Sequence, residues 1–309
     1  MSQQVHVLPE KTIEEMRVYY QTYLQTPPPG AYFRAKTKQA VITAYKSGKV
    51  LFQGSAPELE AAKWTDTISA KQKAVQNDAA KNIYAPPGRL FTSSHIGSDE
   101  AGTGDYFGPM TVAACYVPKE KITVLKEIGI QDSKNLTDQT MQKLSKEIIE
   151  LDIPYSLLVL NNRKYNQLQK SGWTQGKMKA ILHHQAITNV LNKINDQQVD
   201  GILIDQFCEP GVYKRHLQSE NKQLTKDTYF MTKAESYSIA VAASSILART
   251  SFVQKMEQLG DTIGMELPKG ASNQVDRAAA RFIKQYGEDR LSSIAKIHFA
   301  NTKKAYKYL

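Results

Sequence analysis

The chain is poor in cysteine, with only Cys115 and Cys208 among 309 residues. Neither lies in a CxxC or Cys/His spacing, which argues against a disulfide framework and a thiolate zinc site. Both are expected as small buried apolar residues in a reducing compartment. Long apolar runs are lacking too: nothing approaches the ~18 residues of a membrane span. The opening "MSQQVHVLPEKTIEE" has neither the basic head nor the apolar core of a secretory signal. A cytoplasmic protein with no membrane partner is expected. Without an internal repeat or a low-complexity tract, and with nothing that demands an obligate protein partner, a monomer is expected.

Charge is present in excess. Lys and Arg number 40 against 30 Asp and Glu, a net charge of +10, which suits a polyanionic partner such as nucleic acid or, equally, an unspecialised basic surface. Residues 1–89 hold 12 basic and 7 acidic side chains, so this segment is the more basic per residue. Its pattern reads as a helix over 10–26, with Ile13, Met16, Tyr20 and Leu24 at helical spacing, stopped by Pro27 to Pro29. Three short strands follow in "AYFRAKTKQAVITAYKSGKVLFQG", then a helix behind Ser55 as cap, with Glu58 three residues later. Residues 74–89 read as a linker. The expected division is a small α+β domain with its linker at 1–88 and a larger α/β domain at 89–309.

In the larger domain, "HIGSDE", "MTVAACYV", "PYSLLVL", "GILID" and "TYFMT" read as strands, most of them buried. They alternate with helices from Thr137, over 176–194, and over 235–257, the last apolar on most sides. This is a mixed central sheet flanked by helices. Acids fall at its element ends. Asp99 and Glu100 close one strand, Asp205 closes another, and Glu235 is expected to open the buried helix. Sites in open α/β sheets form at such ends. No Lys or Arg adjoins Asp205 in sequence, so converging acids point to divalent cations held by oxygen ligands. Two ions about 4 Å apart can activate water and stabilise a leaving oxygen in phosphodiester hydrolysis.

Behind the acids runs "AGTGDYFGP", which has neither the GxGxxG form nor a P-loop ending. Gly102 and Gly104 are expected to let the backbone approach a polynucleotide, whose ribose 2′-hydroxyl backbone groups can read. Asp105 is expected to cap the loop by accepting backbone hydrogen bonds. His183, His184 and His298 have no ligand spacing with one another, and the first two are expected on a helix surface and its edge.

Four blocks in order, "DEAGTGDYFGP", "DSKNL", "GILIDQF" and "KAESYSIAVAASSILAR", resemble those of the bacterial ribonuclease HIII family, a relative of ribonuclease HII. The resemblance covers residues from about 90 to the C-terminus. It implies a ribonuclease H-like fold and an endonuclease that cuts the RNA strand of RNA/DNA hybrids with two magnesium or manganese ions. The products would carry 5′-phosphate and 3′-hydroxyl ends. Asp99, Glu100, Asp205 and Glu235 match the family's catalytic, metal-holding acids; the glutamate at 235 favours the HIII branch over HII.

The same resemblance lines the substrate site with the block that holds Ser133 and Lys134, beside Gly102, Thr103 and Gly104. Lys233, two residues before Glu235, is expected to pair with an acid or with the scissile phosphate, and Lys269 is a further candidate phosphate contact. Thr103 stands where ribonuclease HII typically has arginine, which argues against cutting at a single embedded ribonucleotide. The N-terminal domain is similar to the family's extra domain, which resembles half of the TATA-binding protein. Arg34, Lys36 and Lys38, set among Tyr32, Phe33 and Tyr45, are its candidate phosphate and sugar contacts. Two alternatives remain: a nuclease of the same fold with another substrate, and a non-catalytic nucleic-acid binder.

Overall fold

The computed structural model describes residues 2–45, 47–64, 83–130, 136–195 and 197–309. Ser133 and Lys134 lie outside the described residues, as does residues 74–82 of the expected linker. The chain divides into two compact units, Met1–Asn82 and Ile83–Leu309.

The first unit is an antiparallel sheet of order β1-β5-β4-β3-β2. Its strands are β1 (Ser2–Val7), β2 (Leu24–Gln25), β3 (Ala31–Lys36), β4 (Ala40–Tyr45) and β5 (Lys49–Gly54). Helix α1 (Glu10–Tyr19) contributes Ile13 and Met16 to a core with Phe33, Ala35, Ile42, Ala44, Val50 and Phe52, which alternation brings to one face. A second helix, α2, covers 57–64. The helix expected over 10–26 ends early, because the chain turns at Gln21–Tyr23 and Leu24 enters an edge strand, half exposed. The Ser55 hydroxyl donates to the Gln39 carbonyl at 3.3 Å, and α2 begins two residues later.

The second unit is a sheet of order β10-β9-β6-β7-β8. Strands β6 (His95–Ala101), β7 (Met110–Val117) and β8 (Tyr155–Leu160) run antiparallel, while β9 (Ile202–Asp205) and β10 (Thr228–Met231) lie parallel to β6. The sheet is therefore mixed, as the sequence pattern predicts. Strand β8 is an edge strand and only half-buried, with Val159 exposed, rather than the buried strand its apolar run suggests. Helices α3 (Ile122–Glu127), α4 (Asp138–Glu150), α5 (Asn162–Lys170), α6 (Gln175–Ile194), α7 (Pro210–Gln218), α8 (Ile239–Ile263), α9 (Asn273–Tyr286) and α10 (Ala300–Ala305) surround it.

Two of these helices sandwich the central strands. On one face, Val112, Ala114 and Tyr116 of β7 pack with Ala186, Ile187 and Val190 of α6. On the other, Ala113, Cys115 and Val117 pack with Ile239, Ala243 and Ile246 of α8. Helix α8 approaches β6 so closely that a Cβ at Gly97 would stand 2.2 Å from the Ala240 carbonyl carbon. Small residues at 240, 242, 243 and 244 permit this, and Ser244 ties the pair by donating to the Gly97 carbonyl at 3.0 Å. Of the two cysteines, Cys115 is buried and its thiol pushed up to about 12 by that burial; Cys208 is only half-buried.

Candidate active site

Strand register brings two of the acids side by side. Ser98 of β6 pairs with Ile204 of β9 in parallel, so Asp99 and Asp205 follow as neighbours at the same sheet end. Asp205 Oδ1 accepts from the Ala234 amide at 2.8 Å, which seats the single turn Ala234–Ser236 that carries Glu235. Glu235 is buried. It does not open the long helix: α8 begins at Ile239 behind Ser238, whose hydroxyl accepts from the Val241 amide at 3.2 Å. That hydroxyl also lies 2.7 Å from His95 Nε2, while His95 Nδ1 lies 2.8 Å from the Ser93 carbonyl. The partners assign the proton to Nδ1, so Ser238 donates to Nε2.

Adjacent residues of a strand point to opposite faces, and the two neighbouring acids do so. Asp99 meets Ser245 of α8, and its carboxyl is pushed up to about 8 by burial, then by the charges of Glu100 and Asp205. Glu100 reaches α6, where Lys179 Nζ contacts Oε1 and His183 Nε2 lies 2.9 Å from Oε2. Burial alone would raise the Glu100 carboxyl, yet His183 and Lys179 hold it below its ordinary value. Basic partners are therefore present, contrary to the local reading of the sequence. They come from a helix about 80 residues away. His183 is wholly buried rather than on a helix surface.

Among the described residues, no three His, Cys, Asp or Glu side chains stand so that they could together hold a metal ion as placed. The donor chemistry nonetheless fits divalent cations. The acids supply hard oxygen ligands, and the raised Asp99 marks a deficit of positive charge that a cation would correct.

A cleft of about 410 Å³ runs from Glu100 along Gly102, Thr103, Gly104 and Asp105 to Ser245 and Arg249. The glycines divide their work differently from expectation. Gly102, at φ +82°, serves packing, because a Cβ there would stand 2.3 Å from the Pro109 carbonyl oxygen and 2.7 Å from the Phe252 ring. Gly104 faces open space. Asp105 accepts a backbone hydrogen bond, as expected, but from the Gly270 amide at 2.6 Å, so it ties the loop to a distant segment rather than capping it locally. Gln175 donates to the Thr103 carbonyl at 2.9 Å. Beneath the loop, Lys296 is fully buried and donates to the carbonyls of Asp105 and Gly108, both at 2.7 Å.

The remaining candidates fare unequally. Lys269 is engaged by Asp138 at the start of α4, which Arg249 also approaches at 3.5 Å. Lys233 is exposed on a left-handed turn at φ +57°. In the first unit, Arg34 and Lys36 share the strand face opposite Phe33 and Ala35, and Phe33 is core. Lys38 belongs to the turn after β3. Tyr32 lies under Arg17 of α1, 5.4 Å from its guanidinium carbon. Arg249 in the cleft and Lys179 beside Glu100 were not singled out in the sequence, and His183 was expected on a helix surface.

A family model described as Ribonuclease HII matches residues 96–302. The ribonuclease HIII of Oceanobacillus iheyensis is 57% identical over 309 residues, the whole of both chains. The chain belongs to the ribonuclease HIII family. A family member from Bacillus mycoides is 48% identical over 298 residues, covering 96% of this chain and 95% of its own. A solved structure of this family, Bst-RNase HIII in complex with Mn2+, aligns with a TM-score of 0.69 at 39% identity, covering 99% of this chain and 98% of its own. The fold is thus ribonuclease H-like, as the four sequence blocks imply. Residues 3–77 match a separate model described only as a domain of unknown function.

Proposed function

We propose that this chain is an endonuclease that hydrolyses the RNA strand of RNA/DNA hybrids with divalent magnesium or manganese, leaving 5′-phosphate and 3′-hydroxyl ends. The observation that carries the reading is the union of Asp99, Asp205 and Glu100 at one sheet end with a glycine-lined cleft. Asp99, Glu100, Asp205 and Glu235 would hold the ions. Bound there, such ions lower the pKa of water and offset charge on a scissile phosphate. Ser245 and the Glu100 amide each hydrogen-bond Asp99, fixing its carboxyl in place. The open face at Gly104 admits a sugar-phosphate chain, and Arg249 lines the same cleft as a phosphate partner. Lys233, two residues before Glu235, is exposed to meet a phosphate. Ser133 and Lys134 are retained as substrate contacts on the resemblance alone. In the first unit, Arg34, Lys36 and Lys38 supply charge for backbone contacts.

Among the described residues, no helix is long and apolar enough to cross a membrane, and the reading is of a cytoplasmic monomer. The test offers labelled RNA/DNA hybrid, double-stranded RNA, and DNA bearing one ribonucleotide, each with magnesium, manganese or chelator. Cleavage of the hybrid alone, abolished by chelator, is expected. Asp99→Asn and Asp205→Asn should lose cleavage and keep hybrid binding. Metal-dependent cutting retained by either variant would overturn the assignment.

A further inference from the structure

Adjacent acids that diverge across a sheet raise a question of placement. Asp99 is fixed by its own strand and by α8, whereas Glu100 points toward α6 on a longer, more flexible stem. Something must decide where that carboxylate rests. His183 is held on three sides. Its Nδ1 lies 2.7 Å from Ser98 Oγ, which also lies 2.8 Å from the Ala113 carbonyl. Glu100 Oε2 can only accept, so the Nε2 that faces it is a donor, assigned from its partner. The ring stacks on Phe207 at 5.2 Å between centroids, 28° from parallel. Phe207 stands two residues beyond Asp205, so the support belongs to the loop that leaves the second acid-bearing strand. The third contact is Nε2 to Glu100 Oε2 at 2.9 Å.

We propose that His183 is a positioning residue for Glu100. The buried imidazole, locked by Ser98 and Phe207, fixes one carboxylate oxygen so that Glu100 serves divalent cations bound with Asp99 and Asp205. The inference rests on the metal-dependent reading above. It differs from a packing role, in which the ring merely fills space between α6 and the sheet. Hydrogen-bonding partners behind a metal-holding side chain are worth about 10–100-fold in affinity or activity.

Three variants of the full chain test it: His183→Leu, which keeps bulk but removes both nitrogens; His183→Gln, which keeps an amide donor; and Ser98→Ala, which frees the ring and removes little volume. Mn2+ binding is measured by calorimetry without substrate, kcat and KM on labelled hybrid, and folding by circular dichroism. His183→Leu is expected to weaken Mn2+ binding and lower kcat by about tenfold or more, with KM for hybrid unchanged. His183→Gln should recover a substantial part, and Ser98→Ala should show a smaller loss in the same direction. Wild-type Mn2+ affinity and kcat in folded His183→Leu overturn the proposal. So do losses in His183→Leu and His183→Gln that match each other and simply track lost folded protein. If His183→Leu does not fold, Ser98→Ala decides: unchanged Mn2+ affinity there overturns the proposal. A wild-type chain that cuts no hybrid, while Mn2+ binding still falls in the variants, sinks the proposed reaction and leaves the positioning role standing.

Discussion

Asp99 should make the metal-free protein less stable, and removing its charge should reveal by how much. Its carboxyl is shifted from 3.8 to about 8, first by burial, then by Glu100 and Asp205. The unfolded chain releases this proton near the ordinary value, while the folded chain keeps it until about pH 8. Across that window the folded state binds more protons, so the unfolding free energy falls as pH rises, and levels off above about pH 8. One pH unit is worth about 1.4 kcal/mol, so a shift of this size amounts to a few kcal/mol. Asp99→Asn keeps the shape, cannot ionise, and lacks the slope.

The assay is urea unfolding in chelator at several pH values. It is followed by Trp173 fluorescence in a Trp64→Phe background, since the chain has two tryptophans and Trp173 is the one in the second unit. Near pH 4 the two proteins should match closely; by pH 8 to 9 Asp99→Asn should be the more stable by a few kcal/mol. Manganese should then stabilise the charged protein and help the variant much less, because a ligand that binds only the folded state stabilises by mass action. A constant difference from pH 5 to pH 9, or a variant less stable at pH 9, would refute the reasoning.

Other expectations follow from single contacts. Gly102→Ala places a Cβ 2.3 Å from the Pro109 carbonyl oxygen at φ +82°, and should cost about 2–5 kcal/mol in thermal or urea unfolding. Gly104→Ala, which meets nothing within 4 Å, should leave stability within about 0.5 kcal/mol and act on KM for hybrid instead. Lys296 is lowered from 10.5 to about 7 by burial, with Asp105 opposing. Between those values the unfolded chain binds the extra proton, so stability from this group rises with pH, and Lys296→Met should abolish that rise in unfolding measured at pH 6 and pH 9. Deleting residues 1–82, which form their own compact unit, should raise KM for hybrid and flatten its salt dependence while sparing kcat. An unchanged KM would deny that unit a binding role.

The sheet was legible where strands are fully buried. "MTVAACYV" has all eight positions buried, and among the described residues no other strand is buried throughout at that length. Edges were harder. Strand β1, "SQQVHV", pairs with β5 on one side only and alternates too weakly to declare itself. The start of α8 was misplaced because Ala234 to Ser236 form a separate turn, and the Ser238 cap contact marks the true beginning. His183 did leave a signal. Buried positions Ala180, His183, Ile187, Val190 and Ile194 recur at helical spacing, so a histidine sits inside the apolar stripe of α6. A polar ring there needs a partner, but Glu100 is 83 residues away, and no spacing rule names it.

The absence of Lys and Arg beside Asp205 in sequence said nothing of its neighbours in the sheet, which differ sharply in their surroundings. Glu100 has resident partners: the Lys179 ammonium on one oxygen and His183 Nε2 on the other, and its carboxyl is lowered. Asp99 has a hydroxyl, an amide and two neighbouring negative charges, and its carboxyl is raised. Two residues adjacent in sequence thus lie in opposite electrostatic settings because pleating sends them to different helices. A site in which every acid were neutralised by its own lysine would have little to gain from an added ion. A site with none would hold its carboxylates apart by repulsion and burial. Here one carboxylate is kept charged and in place while its neighbour is left short of positive charge. A divalent cation held there, as proposed, would meet a prepared ligand beside an unmet charge, and its binding would reverse the instability that Asp99 imposes on the metal-free fold.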